Sequence, residues 1–140
     1  MESLKVSDYM NVHPVKLNEN MSVAEAVERL LQTQQTGGPV VDNVGKVVGF
    51  LSEQDCIHCM IESSYYRERV CLVKEIMKTD VMSVKPYSSV LELAQRFMQD
   101  KPKVYPVVDD DGYLVGAINR TNVLYAIDVQ LRDGYQGIAS

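Results

Sequence analysis

Two seven-residue stretches carry the side chains best suited to hold a ligand. GFLSEQD spans residues 49–55 and GAINRTN spans residues 116–122. Each reads as a strand running directly into a helix. Ser52 and Asp55 then fall in a first helical turn, where free backbone N–H groups receive a phosphate. A carboxylate there can also accept two hydrogen bonds from the hydroxyls of a ribose. The same S-x-x-acid spacing starts a helix on its own account, with Ser52 as N-cap and Asp55 complementing the helix dipole. Capping accounts for Ser52 and for its counterpart Asn119, but it leaves Asp55 less fully explained. Asn122 supplies a carbonyl acceptor and an amide donor without the charge-assisted strength of a carboxylate.

Other constellations carry less. Cys56-Ile-His-Cys59 has the spacing of a redox pair or of half a zinc site, yet only His13, His58 and Cys71 remain to complete a metal shell. On a helix the two cysteines share a face, and the expected role is that of small buried hydrophobes, with no metal. The run Asp109-Asp110-Asp111-Gly112 reads as a turn because it lacks the ligand pattern of a calcium loop. Lys101, Lys103 and Arg120 form a solvated face or, alternatively, offset phosphate charge. Tyrosines at 65, 66, 125 and 135 read as core or dimer contacts. No nucleophile–base pair, phosphate-binding glycine loop or paired carboxylate site emerges, so an enzyme is not expected.

Composition narrows the class further. The chain has 140 residues, 14 basic against 19 acidic side chains, and a net charge of −5. That balance opposes a nucleic-acid binder, which needs a basic stripe to track phosphates. No apolar run approaches the ~20 residues that span a bilayer, and MESLKVSDYM lacks the features of a secretion signal. Three cysteines fit no disulfide framework, so the cytoplasm is the expected compartment.

The elements that position these residues come in duplicate. Shifting the chain by 67 residues pairs Met10 with Met77 and holds register without a gap to Ile57 and Leu124. Over those 48 pairs there are 13 identities, among them Ser22, Glu25, Pro39, Val40, Val41, Asp42, Gly45 and Gly49. Ser22-Val-Ala-Glu25 and Ser89-Val-Leu-Glu92 are capping boxes. Behind them, Val23, Ala26, Val27, Leu30 and Leu31, and likewise Val90, Leu93, Ala94, Phe97 and Met98, form apolar helical stripes. Val15–Leu17 and Met82–Val84 read as short strands before the boxes. Pro39-Val40-Val41 and Pro106-Val107-Val108 read as buried strands, turned at Gly45 and Gly112 into strands 46–51 and 113–118. Each copy is thus β-α-β-β-α, and a unit of ~50 residues buries too little surface to stand alone. The expected fold is α/β: two such repeats, residues 4–62 and 71–130, related by a pseudo-twofold axis and packed as one module, with a tail at 131–140.

In order and spacing, V-x-D-[YI]-M, the capped helix, [GY]-P-V-V-D, the glycine turn and G-h-h-[ST]-x-x-D resemble the CBS (cystathionine β-synthase) domain. The tandem pair resembles the arrangement called a Bateman module, over roughly residues 4–130. The resemblance implies a regulatory module that binds AMP, ADP, ATP or S-adenosylmethionine between the repeats, without an obligatory cofactor. It also implies a homodimer assembled through the helices and a separate effector protein. Carried over by position, Ser52 and Asp55 contact phosphate and ribose; Gly37, Gly38 and Pro39 form the adenine-side backbone; and His13, Pro14 and Val15 form a looser wall. The second copy departs at Asn119 and Asn122. With Arg120, Tyr105 and Lys103 it is expected to form a weaker, altered or vacant site. Two alternatives stand beside this reading: a ligand-independent interaction module, and a thiol or metal sensor through Cys56 and Cys59.

Overall fold

The structure, a computed structural model, describes residues 4–63, 71–99 and 102–139. The first repeat folds as β1 (Leu17–Asn18), α1 (Val23–Thr33), β2 (Gly37–Val41), β3 (Val47–Ser52) and α2 (Glu53–Ser63). A short helix α3 (Val73–Ile76) opens the second repeat, which continues as α4 (Val90–Phe97), β4 (Val104–Val108), β5 (Leu114–Asn119) and α5 (Arg120–Ala139). The architecture is α/β in two copies.

The helix starts follow the predicted caps. Ser22 Oγ accepts from Glu25 N at 3.1 Å and Ser89 Oγ accepts from Glu92 N at 3.4 Å. The carboxylate arm of the first box turns away, since Glu25 lies 3.7 Å from Arg29 instead. Val23, Ala26 and Leu30 are buried along α1, as are Val90 and Leu93 along α4. Leu31 and Met98 depart from expectation, at 72% and 85% exposed. At about 100° per residue, the eighth position after the first lies about 80° round the helix, past the edge of the face that packs.

β2 is buried along its whole length between parallel β1 and antiparallel β3. Pro39 is tolerated in this central strand because β1 reaches only Val40 and Val41, so the missing N–H falls ahead of the parallel ladder. In the second copy the strand expected at 82–84 shrinks to a single parallel bridge, Val84 to Val107. Gly45 and Gly112 turn both hairpins at φ values of +97° and +90°. Residues 131–139, expected as a tail, continue α5.

The compact units do not follow the repeat boundaries. One gathers Met1–His13, Ser83–Asp109 and Val115–Ser140; the other gathers Pro14–Met82 and Asp110–Leu114. Each repeat's leading arm therefore packs on the other repeat. Lys5 bridges Ser89 and Asn11 bridges Ala117; 67 residues on, Leu72 bridges Ser22 and Lys78 bridges Phe50. The glycine of each G-h-h-[ST] motif makes room for the arm. A Cβ on Gly116 would stand 2.6 Å from Met10 Sδ and 2.9 Å from Asn11 O, and one on Gly49 would meet Met77 Sδ and, at 2.9 Å, Lys78 O.

Each unit has its own core. Leu4, Val6, Val84, Val90, Leu93, Tyr105, Val107 and Ile118 centre one, and Leu17, Val23, Leu30, Val40, Leu51, Cys56, Cys59 and Val73 centre the other. Among the described residues, no helix is long and apolar enough to cross a membrane.

Candidate functional site

β3 ends at Ser52 and α2 begins at Glu53 with no intervening loop. The junction is closed by a reciprocal box. Asp55 N donates to Ser52 Oγ at 3.2 Å, while Ser52 N and Ser52 Oγ–H donate to Asp55 Oδ2 at 3.1 and 2.8 Å. Capping thus explains Asp55 as well as Ser52, contrary to the weight the sequence placed on a ligand alone. The spacing itself carried the signal, since an acid three residues after a serine is the box signature. Among the described residues, these three bonds leave Asp55 Oδ1 unused.

The second junction is built the same way from different atoms. Asn119 N donates to Asn122 Oδ1 at 2.9 Å and Asn122 N donates to Asn119 Oδ1 at 2.8 Å. Both carbonyl oxygens are consumed, and among the described residues both amide NH₂ groups remain. The first junction offers an acceptor; the second offers donors. That inversion of polarity is invisible in an Asp-to-Asn comparison until the cap bonds fix which end of each amide faces inward.

The strands beside the two junctions exchange bulk. Gly37 pairs with Ser52 and Gly38 with Leu51. A Cβ on Gly37 would stand 2.8 Å from Cε1 of Phe50, and one on Gly38 would stand 2.9 Å from Cγ1 of Val15. The ring of Phe50 and the side chain of Val15 therefore lie over bare backbone, a role for Phe50 that its apolar type alone did not reveal. Sixty-seven residues on, Val104 and Tyr105 replace the glycines, and Ala117 and Met82 replace Phe50 and Val15.

Tyr105 is wholly buried, packed edge-on to Phe97 at 5.1 Å, and belongs to the core. Among the described residues its hydroxyl has no partner. Burial pushes the phenol up from its ordinary value, with Arg96 pulling the other way. Tyr105 is therefore set into its core, whereas the exposed Lys103 and Arg120 stand at the surface.

The looser wall divides. Pro14 and Val15 belong to the first-repeat unit, Val15 against Gly38, whereas His13 groups with the other unit, exposed, its N–H donating to Asn11 Oδ1 at 3.0 Å. Lys101, Tyr65 and Tyr66 lie outside the described residues.

Cys56 and Cys59 are buried, 4% and 6% exposed, in the core of the first-repeat unit. Cys71, half-buried, packs against the same cluster from the start of the second repeat. Burial, reinforced by Asp55, Cys59 and Glu53, pushes the Cys56 thiol up to about 11. Burial, with Cys59 and Glu75, pushes Cys71 up to about 12. Among the described residues no three metal-ligating side chains gather. The approach of Cys71 had no sequence signal, because the contact joins positions whose separation fits no local period.

Comparison with known proteins places this arrangement. The family model described as CBS domain matches residues 6–62 and 73–129. The A-adding tRNA nucleotidyltransferase of Aquifex aeolicus is 30% identical over 91% of this chain, which covers 15% of that protein. The chain spans less than half the length of each of the first three curated relatives it matches. Among solved structures, CBSX2 of Arabidopsis thaliana in complex with AMP superposes with a TM-score of 0.79 at 26% identity, covering 92% of this chain and 98% of that one. The acetoin utilization protein AcuB of Vibrio cholerae, described as putative, gives a TM-score of 0.81 at 28% identity, over 97% and 98%.

Proposed function

Because the chain belongs to the CBS domain family, we propose that it is a regulatory module that binds an adenine nucleotide at the β3–α2 junction. Its ligand state is then passed to a separate effector protein. The carrying observation is Asp55, held by its Oδ2 in the cap while its Oδ1 stays available to a ribose hydroxyl. Next to it, the N-terminus of α2 offers N–H groups suited to phosphate, and Gly37 and Gly38, paired with Ser52 and Leu51, put side-chain-free strand backbone beside the junction, beneath Phe50 and Val15. The likeness to CBSX2, solved with AMP, supports this class of ligand. ADP, ATP and S-adenosylmethionine share the adenosine that these atoms address. Asn119 and Asn122 turn donors toward a ligand, so the second site is weak or vacant for a ribose, with Arg120 and Lys103 as its exposed charges.

The working form is a cytoplasmic homodimer without catalytic activity. Supporting the dimer, α2 exposes Ile57, Met60 and Ile61, and α5 exposes Leu124, Tyr125 and Leu131. Apolar helical faces of this kind associate with a second copy. Titration calorimetry with AMP, ADP, ATP and S-adenosylmethionine tests the reading. One strong site per chain is expected for at least one of them, and no heat from any of the four overturns it.

A further inference from the structure

Of the three thiols, two come from elements held independently of each other. Cys59 stands on α2, whose start is fixed by the Ser52–Asp55 box. Cys71 is fixed through its backbone, its carbonyl accepting from Val23 N at 2.8 Å, with Leu72 bridged to Ser22. Both sulfurs belong to the first-repeat core, where half-buried Cys71 packs against the cluster that holds Cys59, and Cys59 is among the groups that raise the Cys71 thiol. Cys56 and Cys59, by contrast, lie three apart on one continuous helix. Their Cβ atoms are then about 5–6 Å apart, wider than the roughly 3.5–4.5 Å that a disulfide requires.

We propose that Cys59 and Cys71 form a reversible disulfide that fastens the arm of the second repeat to α2. The oxidant is a small-molecule disulfide such as oxidised glutathione. The thiolate of Cys71, the more accessible sulfur, attacks one glutathione sulfur and expels glutathione thiolate. The Cys59 thiolate then attacks the Cys71 sulfur of the mixed disulfide and expels the second. Two protons pass to solvent; the protein pair is oxidised by two electrons and the glutathione disulfide is reduced. With the Cys71 thiol pushed up to about 12, the first step is slow at neutral pH, and the pair reports sustained oxidation, not brief pulses.

The test incubates the full chain with oxidised glutathione and maps cysteine-containing peptides by mass spectrometry without reduction. The expected product is one intramolecular link between the Cys59 and Cys71 peptides, with Cys56 still alkylatable and a melting temperature several degrees above that of the reduced chain. Cys71→Ser abolishes both the link and the shift, and Cys56→Ser keeps both. A Cys56–Cys59 link, only glutathione adducts, a link between chains, or no oxidation overturns the proposal. The map of the unmutated chain decides the matter even where a variant folds poorly.

Discussion

Asp55→Asn separates the two roles that one carboxylate performs. The second repeat shows what the folded variant does, because Asn122 closes the same box with its carbonyl at 2.9 Å from Asn119 N. The cap therefore survives. What is lost is the 2.8 Å bond from Ser52 Oγ to a charged oxygen and the favourable charge at a helix N-terminus. Together these are worth about 0.5–1 kcal/mol, a fall of a few °C in melting temperature. At the ligand the loss is larger. The free atom changes from a carboxylate acceptor to an amide donor, removing a hydrogen bond to a charged group worth about 1.5–3 kcal/mol. At about 1.4 kcal/mol per tenfold, AMP affinity falls roughly 10- to 100-fold. Asp55→Ala loses both, the cap adding about 1 kcal/mol of destabilisation. Calorimetric titration with AMP reads the first quantity and thermal melting the second. Affinity within twofold of the unmutated chain refutes the ribose role. Melting as low for Asn as for Ala refutes the claim that the amide keeps the cap.

Three further outcomes follow from the packing. Gly49→Ala forces a methyl onto Met77 and Lys78 O and breaks the paired bonds between Phe50 and Lys78, 2.8 and 2.9 Å long; a loss of about 1–3 kcal/mol in denaturant melts is expected. Tyr105→Phe removes a buried hydroxyl with no partner, so stability should rise by about 1 kcal/mol, and a fall in melting temperature contradicts the assignment. The raised Cys56 thiol gives alkaline sensitivity: the folded group stays neutral until about 11 while the unfolded one ionises from 9.0. Its contribution is complete below the unfolded value and is lost as pH climbs through the folded one, at up to about 1.4 kcal/mol per pH unit. Denaturant melts from pH 8 to 11 should show that slope, flattened in Cys56→Ala.

What the sequence made legible was local. Ser22 and Ser89 announce helix starts because their acceptors bind N–H groups three residues away, and Gly45 and Gly112 announce turns because few other residues take those dihedrals. The repeat itself set the order of strands and helices. Three things escaped it. Leu31 and Met98 satisfy the apolar pattern yet lie beyond the packing edge. Residues 131–140 were expected as a tail, but α5 continues to Ala139 through Gly134 and Gly137, since an internal glycine costs only about 1 kcal/mol against an established helix. The partner of each V-x-D-[YI]-M arm escaped as well. A duplicated motif shows that Met10 and Met77 are equivalent, but not that each covers the glycine of the other repeat. At the site, Ser52 and Asp55 were legible as a pair; the atoms they leave free were not.

The exchanged arms impose an order on assembly. Residues 50 and 78 are 28 apart along the chain, whereas residues 11 and 117, which make the matching bridge, are 106 apart. Closing the longer loop costs about 1.2 kcal/mol more in chain entropy. A chain leaving the ribosome can close the Phe50–Lys78 bridge of the Asp55-bearing unit soon after Lys78 emerges, while the arm around Asn11 waits for Ala117. Severing the chain between the repeats would leave each half with its own arm and an edge made for the other's. A lone half could then be completed only by trading arms with a second molecule. The arm around Asn11 is made well before the strand that receives it and is placed only when Ala117 arrives.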